Sequence, residues 1–81
     1  MNREFASSDL GLSGALKSLQ GTQLLRVEPI DARRVAFVFA DDGTINEKVE
    51  AYWNGKLQVD ALAYFNALKL LKAQVFSVRR V

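Results

Sequence analysis

The chain has 81 residues, 49% of them hydrophobic and 25% charged, and carries a net charge of +2 at pH 7. These values are typical of a single small folded domain over residues 1–81, and they argue against disorder. Because the chain contains no histidine and no cysteine, disulfides, thiol nucleophiles and the Ser–His–Asp arrangement are excluded, and we expect no enzyme activity, no metal and no cofactor.

The first two predicted elements are a short strand and a helix. Residues 3–6 form the strand, and Ser7 or Ser8 offers an N-cap for the helix that follows. Leucines three and four residues apart continue the helix to Gly21, which is placed to end it. Gly14 lies inside this helix and has two interpretations: a weak helix that packing stabilises, or a close approach by a neighbouring backbone.

Two strands follow, at 23–28 and 34–40, around a turn at 29–32. The second of them is apolar on both faces, with Val35, Phe37 and Phe39 on one face and Ala36, Val38 and Ala40 on the other. The larger face should meet the helices. The small apolar face suggests cover by another element or by another subunit.

A second helix is predicted after the acidic turn that ends the third strand. Thr44 and Glu47 have the spacing of a capping box, and Asn54-Gly55 is a favourable C-terminal pair. Trp53, the single tryptophan, falls on the apolar side of this helix. We expect it in the core rather than in a ligand site.

The longest predicted element is a third helix, with Asp60 as its N-cap. Its core-facing stripe consists of Ala61, Tyr64, Leu68, Leu71, Val75 and Val78, widened on one flank by Phe65 and Phe76. Leu62 and Leu70 fall outside this stripe. They are either scattered surface residues or, together with Ala36 and Val38, a candidate interaction surface.

The order strand, helix, strand, strand, helix, helix predicts an α+β fold, in which a small antiparallel sheet of two to three strands packs against three helices.

The chain also resembles a known family in six segments. They are Ser8-Asp9-Leu10, 35–39 with the acidic residues after it, Ala51-Tyr52-Trp53-Asn54-Gly55, Val59-Asp60-Ala61, Tyr64-Phe65-Asn66-Ala67-Leu68 and Leu71-Lys72. From about residue 5 to residue 76, the chain resembles a family of short bacterial and phage-associated domains without an assigned function. The resemblance implies a small α+β domain and no catalytic residue.

The carboxylates offer little for catalysis or metal binding. Asp41 and Asp42 are adjacent after a strand, but two ligands are too few for a calcium or magnesium site, so we expect a solvated turn. Glu47 is explained by its cap and Glu50 by the helix surface. Only a cleft lined by Asp41, Asp42 and Glu47 would indicate an enzyme.

Basic residues come in pairs that folding could bring together. The candidate contacts to nucleic acid are Arg33, Arg34, Lys69, Arg79 and Arg80. Nine acidic residues are interspersed with the eleven basic ones, so no dense basic stripe appears and nucleic acid is not the favoured partner.

The N-terminus lacks the apolar segment of a secretory signal, and no apolar run is long enough to cross a membrane. We therefore expect a cytoplasmic protein with no membrane partner. The expected function is a small, non-catalytic interaction module that forms a homodimer or binds another protein. The alternative is a weak nucleic-acid-binding accessory protein.

Overall fold

Six elements follow one another in the predicted order. The computed structural model describes residues 3–79, with the backbone alone for Arg79. The elements are β1 (Arg3–Ser7), α1 (Leu10–Ser18), β2 (Leu24–Pro29), β3 (Val35–Asp41), α2 (Ile45–Trp53) and α3 (Ala61–Arg79). The strands form one antiparallel sheet, so the predicted α+β fold is confirmed.

β3 is the central strand of this sheet. β1 and β2 pair with its two edges, both antiparallel to it, in the order β1-β3-β2. Residues 35–39 of β3 are all buried, whereas every residue of β1 and β2 is exposed or half-buried. A continuous apolar run is what a strand covered on both faces requires. The apolar character of both faces of β3 therefore reflects its central position.

The core lies between one face of the sheet and the helices. It is formed by the buried side chains of Leu12, Leu16, Val35, Phe37, Phe39, Ile45 and Leu71. Phe5 of β1 and Leu24 of β2 stand opposite Phe39 in register and border this core. The larger face of β3 thus meets the helices, as the sequence predicts.

The N-cap of α1 differs from the predicted one. Asp9, rather than Ser7 or Ser8, caps the helix, because its Oδ1 accepts a hydrogen bond from the backbone N–H of Leu12 at 2.8 Å. Ser7 belongs to β1, and its hydroxyl oxygen accepts from the N–H of Asp9 at 3.1 Å. Both serines are therefore upstream of the cap position.

Two other predicted helix ends are also wrong. The C-cap of α1 is Leu19, so Gly21 lies in the following turn, where its φ of 84° suits glycine. Thr44 occupies the N-cap position of α2, but its hydroxyl donates to Oδ1 of Asp42 at 2.6 Å and makes no cap bond. The capping box between Thr44 and Glu47 is therefore not formed.

The remaining helix ends agree with the sequence. Asn54 is the C-cap of α2 and Gly55 follows with a φ of 71°, in the left-handed region that favours glycine. Oδ2 of Asp60 accepts from the N–H of Ala63 at 2.8 Å. Asp60 therefore caps α3, as predicted.

α3 buries a narrower stripe than the sequence predicts. Ala67 and Leu71 are buried at its centre, whereas Ala61 is exposed. Phe65 and Phe76, expected to widen the stripe, are also exposed. Each residue advances about 100° around a helix, so Phe65, two residues before Ala67, points nearly the opposite way, and Phe76 is similarly rotated from Leu71. The core of so small a domain reaches one side of this helix.

α1 and α3 approach each other closely at Gly14, which is buried in α1. A Cβ on Gly14 would lie 2.6 Å from Cδ2 and 3.2 Å from Cγ of Leu68, and 3.4 Å from Cε1 of Tyr64. The first two distances are shorter than ordinary van der Waals contact. Gly14 therefore accommodates a close approach, although by side chains of α3 rather than by the backbone that the sequence suggested.

We expect Gly14→Ala to lower the free energy of unfolding by about 1 kcal/mol, because overpacking against Leu68 exceeds the roughly 1 kcal/mol gain in helix propensity. In a Leu68→Ala background the same substitution should be neutral or stabilising, since the space is then free. Urea denaturation of the four proteins in this cycle measures the coupling. Equal effects of Gly14→Ala in both backgrounds would contradict the contact.

Candidate functional site

Large apolar side chains of α3 are exposed on the side away from the core. Leu62, Phe65, Leu70 and Phe76 are each between 56% and 66% exposed. Helical geometry places Leu62, Phe65 and Phe76 within about 60° of one another around α3, and Leu70 on the flank, about 80° from Leu62. We call these four residues, together with Lys69 between them, the outer face of α3. It contains both leucines of the predicted interaction surface.

Lys69 lies in the middle of the outer face. Its Nζ is 5.4 Å from the centroid of the Phe65 ring, within the range of a cation–π interaction. Residues 61–79 carry lysine or arginine at 69, 72 and 79 and no acidic residue. The outer face is therefore apolar with positive charge. Although α3 is apolar on two sides, no helix within residues 3–79 is long and apolar enough to cross a membrane.

Ala36 and Val38, the other two residues predicted for an interaction surface, are only 7% and 2% exposed. They lie on the back face of the sheet, away from the helices. Arg26 pairs with Val38 in register, and its guanidinium reaches across β3 to β1, where Nη1 and Nη2 donate to the two carboxylate oxygens of Glu4 at 2.9 and 2.7 Å. Its Nε donates to Glu28. The chain itself covers this face, so neither residue presents a docking surface.

A cleft of about 300 Å³ opens between the start of α1, the start of β3 and the second half of α3. It is lined by Ser8, Leu10, Arg33, Arg34, Val35, Phe37, Lys72 and Val75. We call it the cationic cleft, because three of these residues are lysine or arginine and none is acidic. It gathers basic residues that lie far apart in the sequence.

The turn between β2 and β3 holds two of these cations at the rim. Oδ1 of Asp31 accepts from the backbone N–H groups of Arg33 and Arg34 at 2.9 and 2.8 Å, and Oδ2 accepts from Nε of Arg34 at 3.0 Å. These bonds, above all the one from the N–H of Arg33, hold the pKa of Asp31 below its ordinary value. Asp31 therefore remains a carboxylate and fixes the turn.

Of the other predicted nucleic-acid contacts, only Lys69 is described with its side chain, and it does not line the cleft. Lys69 is on the outer face of α3, while Arg80 and the side chain of Arg79 lie outside the described residues. Lys72 takes a place in the cationic cleft that sequence reasoning does not assign to it. Its position beside the apolar stripe, three residues before Val75, fits a snorkelling lysine equally well.

Asp41 and Asp42 form hydrogen bonds within their own turn. Oδ1 of Asp41 accepts from a backbone N–H two residues later at 2.9 Å. Oδ1 of Asp42 accepts from the hydroxyl and the N–H of Thr44 at 2.6 and 2.9 Å, and these bonds lower the pKa of Asp42. The shallow depressions beside them are lined by Arg3 but not by Glu47. Within residues 3–79, no group of three carboxylates is placed to hold a metal ion.

Trp53 is 60% exposed, so its predicted place in the core is wrong. It is the last residue of α2, and its ring meets that of Tyr52 edge-on, with the centroids 4.9 Å apart. Tyr52 packs against the core instead, and burial, followed by the neighbouring Tyr64, raises the pKa of Tyr52. Adjacent helical residues differ by about 100°, so only one of the two can face the core.

A family model described as Domain of unknown function (DUF5659) matches residues 2–77. The predicted resemblance to a domain of unassigned function is thereby confirmed. No curated protein and no solved structure matches the chain. The description of the family names no activity.

The bond from Arg26 lowers the pKa of Glu4 below its ordinary value of 4.5, and we expect Arg26→Gln to raise it towards that value. Because the carboxyl pKa is lowered in the folded protein, the ion pair adds stability at pH values above the ordinary pKa. This contribution is lost as the pH falls through the pKa of the folded state. NMR titration of the Glu4 side-chain carboxyl measures the shift. Arg33→Gln, which removes the same charge elsewhere, should leave Glu4 unchanged. A Glu4 pKa that is the same with and without Arg26 would contradict the bridge across β3.

Proposed function

We propose that this chain, which belongs to the DUF5659 family, is a non-catalytic interaction module that binds another protein through the outer face of α3. The observation that supports this most strongly is the row of exposed apolar side chains on a helix whose opposite side is already buried. A single exposed leucine needs no explanation, but four large exposed apolar side chains on one helix are typical of a binding surface. The bacterial setting and the cytoplasmic location remain predictions from the sequence.

The outer face of α3 has the properties of a helix-docking surface. Nineteen helical residues span about 28 Å, long enough to hold a partner helix over several turns. Leu62, Phe65 and Leu70 offer aliphatic and aromatic anchors of the kind that dominate interface energies. α3 is anchored to the core by Leu71, so little ordering entropy opposes binding at this surface.

The charge of this helix indicates the chemistry of the partner. Lys69 lies within the outer face, and the helix carries no carboxylate to balance it. A second copy of the chain would place lysine against lysine, which costs affinity. An amphipathic helix with apolar residues on one side and acidic residues flanking them would complement both features. We therefore assign an acidic amphipathic helix of a partner protein to this face, and the homodimer is the competing outcome.

We expect Leu62→Gln with Leu70→Gln to weaken binding of such a helix about tenfold or more, because two apolar anchors are lost. The probe is a synthetic amphipathic peptide with leucine on one side and glutamate on the other, titrated into ¹⁵N-labelled protein. Amide shifts should concentrate at the outer face. Glutamine keeps most of the helix propensity of leucine, so the stability should change by less than about 1 kcal/mol.

Two controls make this test specific. Ile30→Gln removes an exposed aliphatic side chain from a turn outside α3 and should leave binding intact. A peptide with lysine in place of glutamate should bind more weakly than the acidic one. Sedimentation equilibrium of the wild type and the double variant tests whether the outer face binds a second copy of the chain. A wild-type dimer that dissociates in the double variant would show that the partner is a second copy rather than an acidic helix. Unchanged peptide binding by the double variant would remove the outer face as the docking surface.

Weak nucleic-acid binding is the second candidate, and one observation favours it: Arg33 and Arg34 share a cleft with Lys72. Three phosphate contacts predict that affinity for short DNA or RNA falls about 20- to 40-fold between 50 and 200 mM salt, because each contact releases counterions. Fluorescence anisotropy over that range measures the slope. Lys56→Gln, which removes an exposed charge that does not line the cleft, should leave the slope unchanged. Salt-independent binding, or none in dilute buffer, would rule this candidate out.

A further inference from the structure

We propose that the cationic cleft is a binding site for a small organic anion, an apolar body of about the size of a benzene ring that carries a carboxylate or a phosphate. The site is separate from the outer face of α3 and does not depend on the proposed interaction. Its apolar floor comes from β3, and its cationic rim comes from the β2–β3 turn and α3.

The floor of the cationic cleft is apolar and rigid. Val35 and Phe37 are 6% and 2% exposed and belong to the central strand, the most buried element of the domain. Leu10 of α1 and Val75 of α3 are half-buried and form the sides. The volume of about 300 Å³ is at the lower end of the range for ligand pockets. An apolar group of that size would displace water from these side chains, which favours binding.

The rim of the cleft carries positive charge from two directions. Arg33 and Arg34 come from the β2–β3 turn and Lys72 comes from α3, and no acidic residue lines the cleft. Oδ2 of Asp31 accepts a hydrogen bond from Nε of Arg34. The terminal nitrogens of that guanidinium have no partner among residues 3–79. Guanidinium groups bind the paired oxygens of carboxylates and phosphates in a planar, bidentate manner.

The turn is also organised before any ligand arrives. Both backbone bonds to Oδ1 of Asp31 fix the direction in which Arg33 and Arg34 leave the turn. Binding therefore costs little backbone conformational entropy, and only the side-chain rotamers become ordered. Ser8, which also lines the cleft, offers a hydroxyl that can donate a further hydrogen bond to the anion. The apolar floor and the cationic rim together favour a ligand in which an oxyanion is joined to an apolar group over a ligand that has only one of the two.

Four small probes separate the two requirements. Phenyl phosphate and phenylacetate carry both an anion and an apolar ring, inorganic phosphate carries only the anion, and benzyl alcohol carries only the ring. We expect the first two to bind ¹⁵N-labelled protein with a Kd on the order of 1–10 mM, as their size allows. Shifts should appear at Val35, Phe37 and Val75. Inorganic phosphate and benzyl alcohol should bind at least about fivefold more weakly. The tighter of the two ring-bearing anions identifies the headgroup, and either order supports the site.

Variants test whether the rim acts as proposed. Lys72→Gln and Arg33→Gln should each raise the Kd of the better anion about three- to tenfold, since each removes one charge-assisted contact at a partly exposed site. Lys69→Gln is the matched control: it removes the same charge from the same helix but does not line the cleft. It should change the Kd by less than about twofold.

The results that would overturn the proposal are distinct from those that test the interaction module. Equal binding of phenyl phosphate and inorganic phosphate would show that the apolar floor is not used. Equal binding of phenylacetate and benzyl alcohol would show that the cations are not used. Equal losses of affinity for the anion in Lys69→Gln and Lys72→Gln would show that only the net charge matters. Amide shifts confined to residues outside the cleft would show that the anion binds elsewhere. None of these outcomes bears on whether the acidic peptide binds the outer face of α3.

Discussion

The fold depends on the burial of β3 on both faces. On one face Phe37 and Phe39 pack beneath the helices, and on the other Val38 lies beneath the bridge from Arg26 to Glu4. With the helices all on one side, the chain covers the second face with a guanidinium that spans from β2 to β1. The ion pair is exposed, so its electrostatic contribution is small. Its larger effect is to hold the aliphatic stem of Arg26 on the face of the sheet where Val38, its partner in register, is buried.

The small number of helices and strands also explains why α3 is covered on one side alone. Gly14 lets the side chains of α3 settle deeply against α1, and Leu71 completes the contact with the sheet. No other element within residues 3–79 covers Leu62 or Phe65, which are both exposed. A helix with apolar residues on two sides is ordinarily buried on both. In this domain the second side is available to a partner, which is the physical basis of the proposed interaction.

Acidic and basic residues have different roles in this chain. Five aspartates accept hydrogen bonds from backbone N–H groups at helix starts or turns: Asp9, Asp31, Asp41, Asp42 and Asp60. By contrast, the ion pairs found within residues 3–79 do not involve Arg33, Lys69 or Lys72. The net charge of +2 therefore understates how positive the two proposed binding surfaces are. Both proposed sites use this difference.

The sequence by itself determined the order of the elements, because helix periodicity, strand alternation and the ends at Asn54-Gly55 and Asp60 are local signals. It also determined which chemistries the chain lacks. Tertiary structure decided which apolar residues are buried: alternation assigns Val38 to a face but cannot say what covers that face, and helical spacing cannot tell how far the core reaches around α3 towards Phe65. It also brought Lys72 to the Arg33–Arg34 turn, since distances between residues far apart in sequence are set by packing.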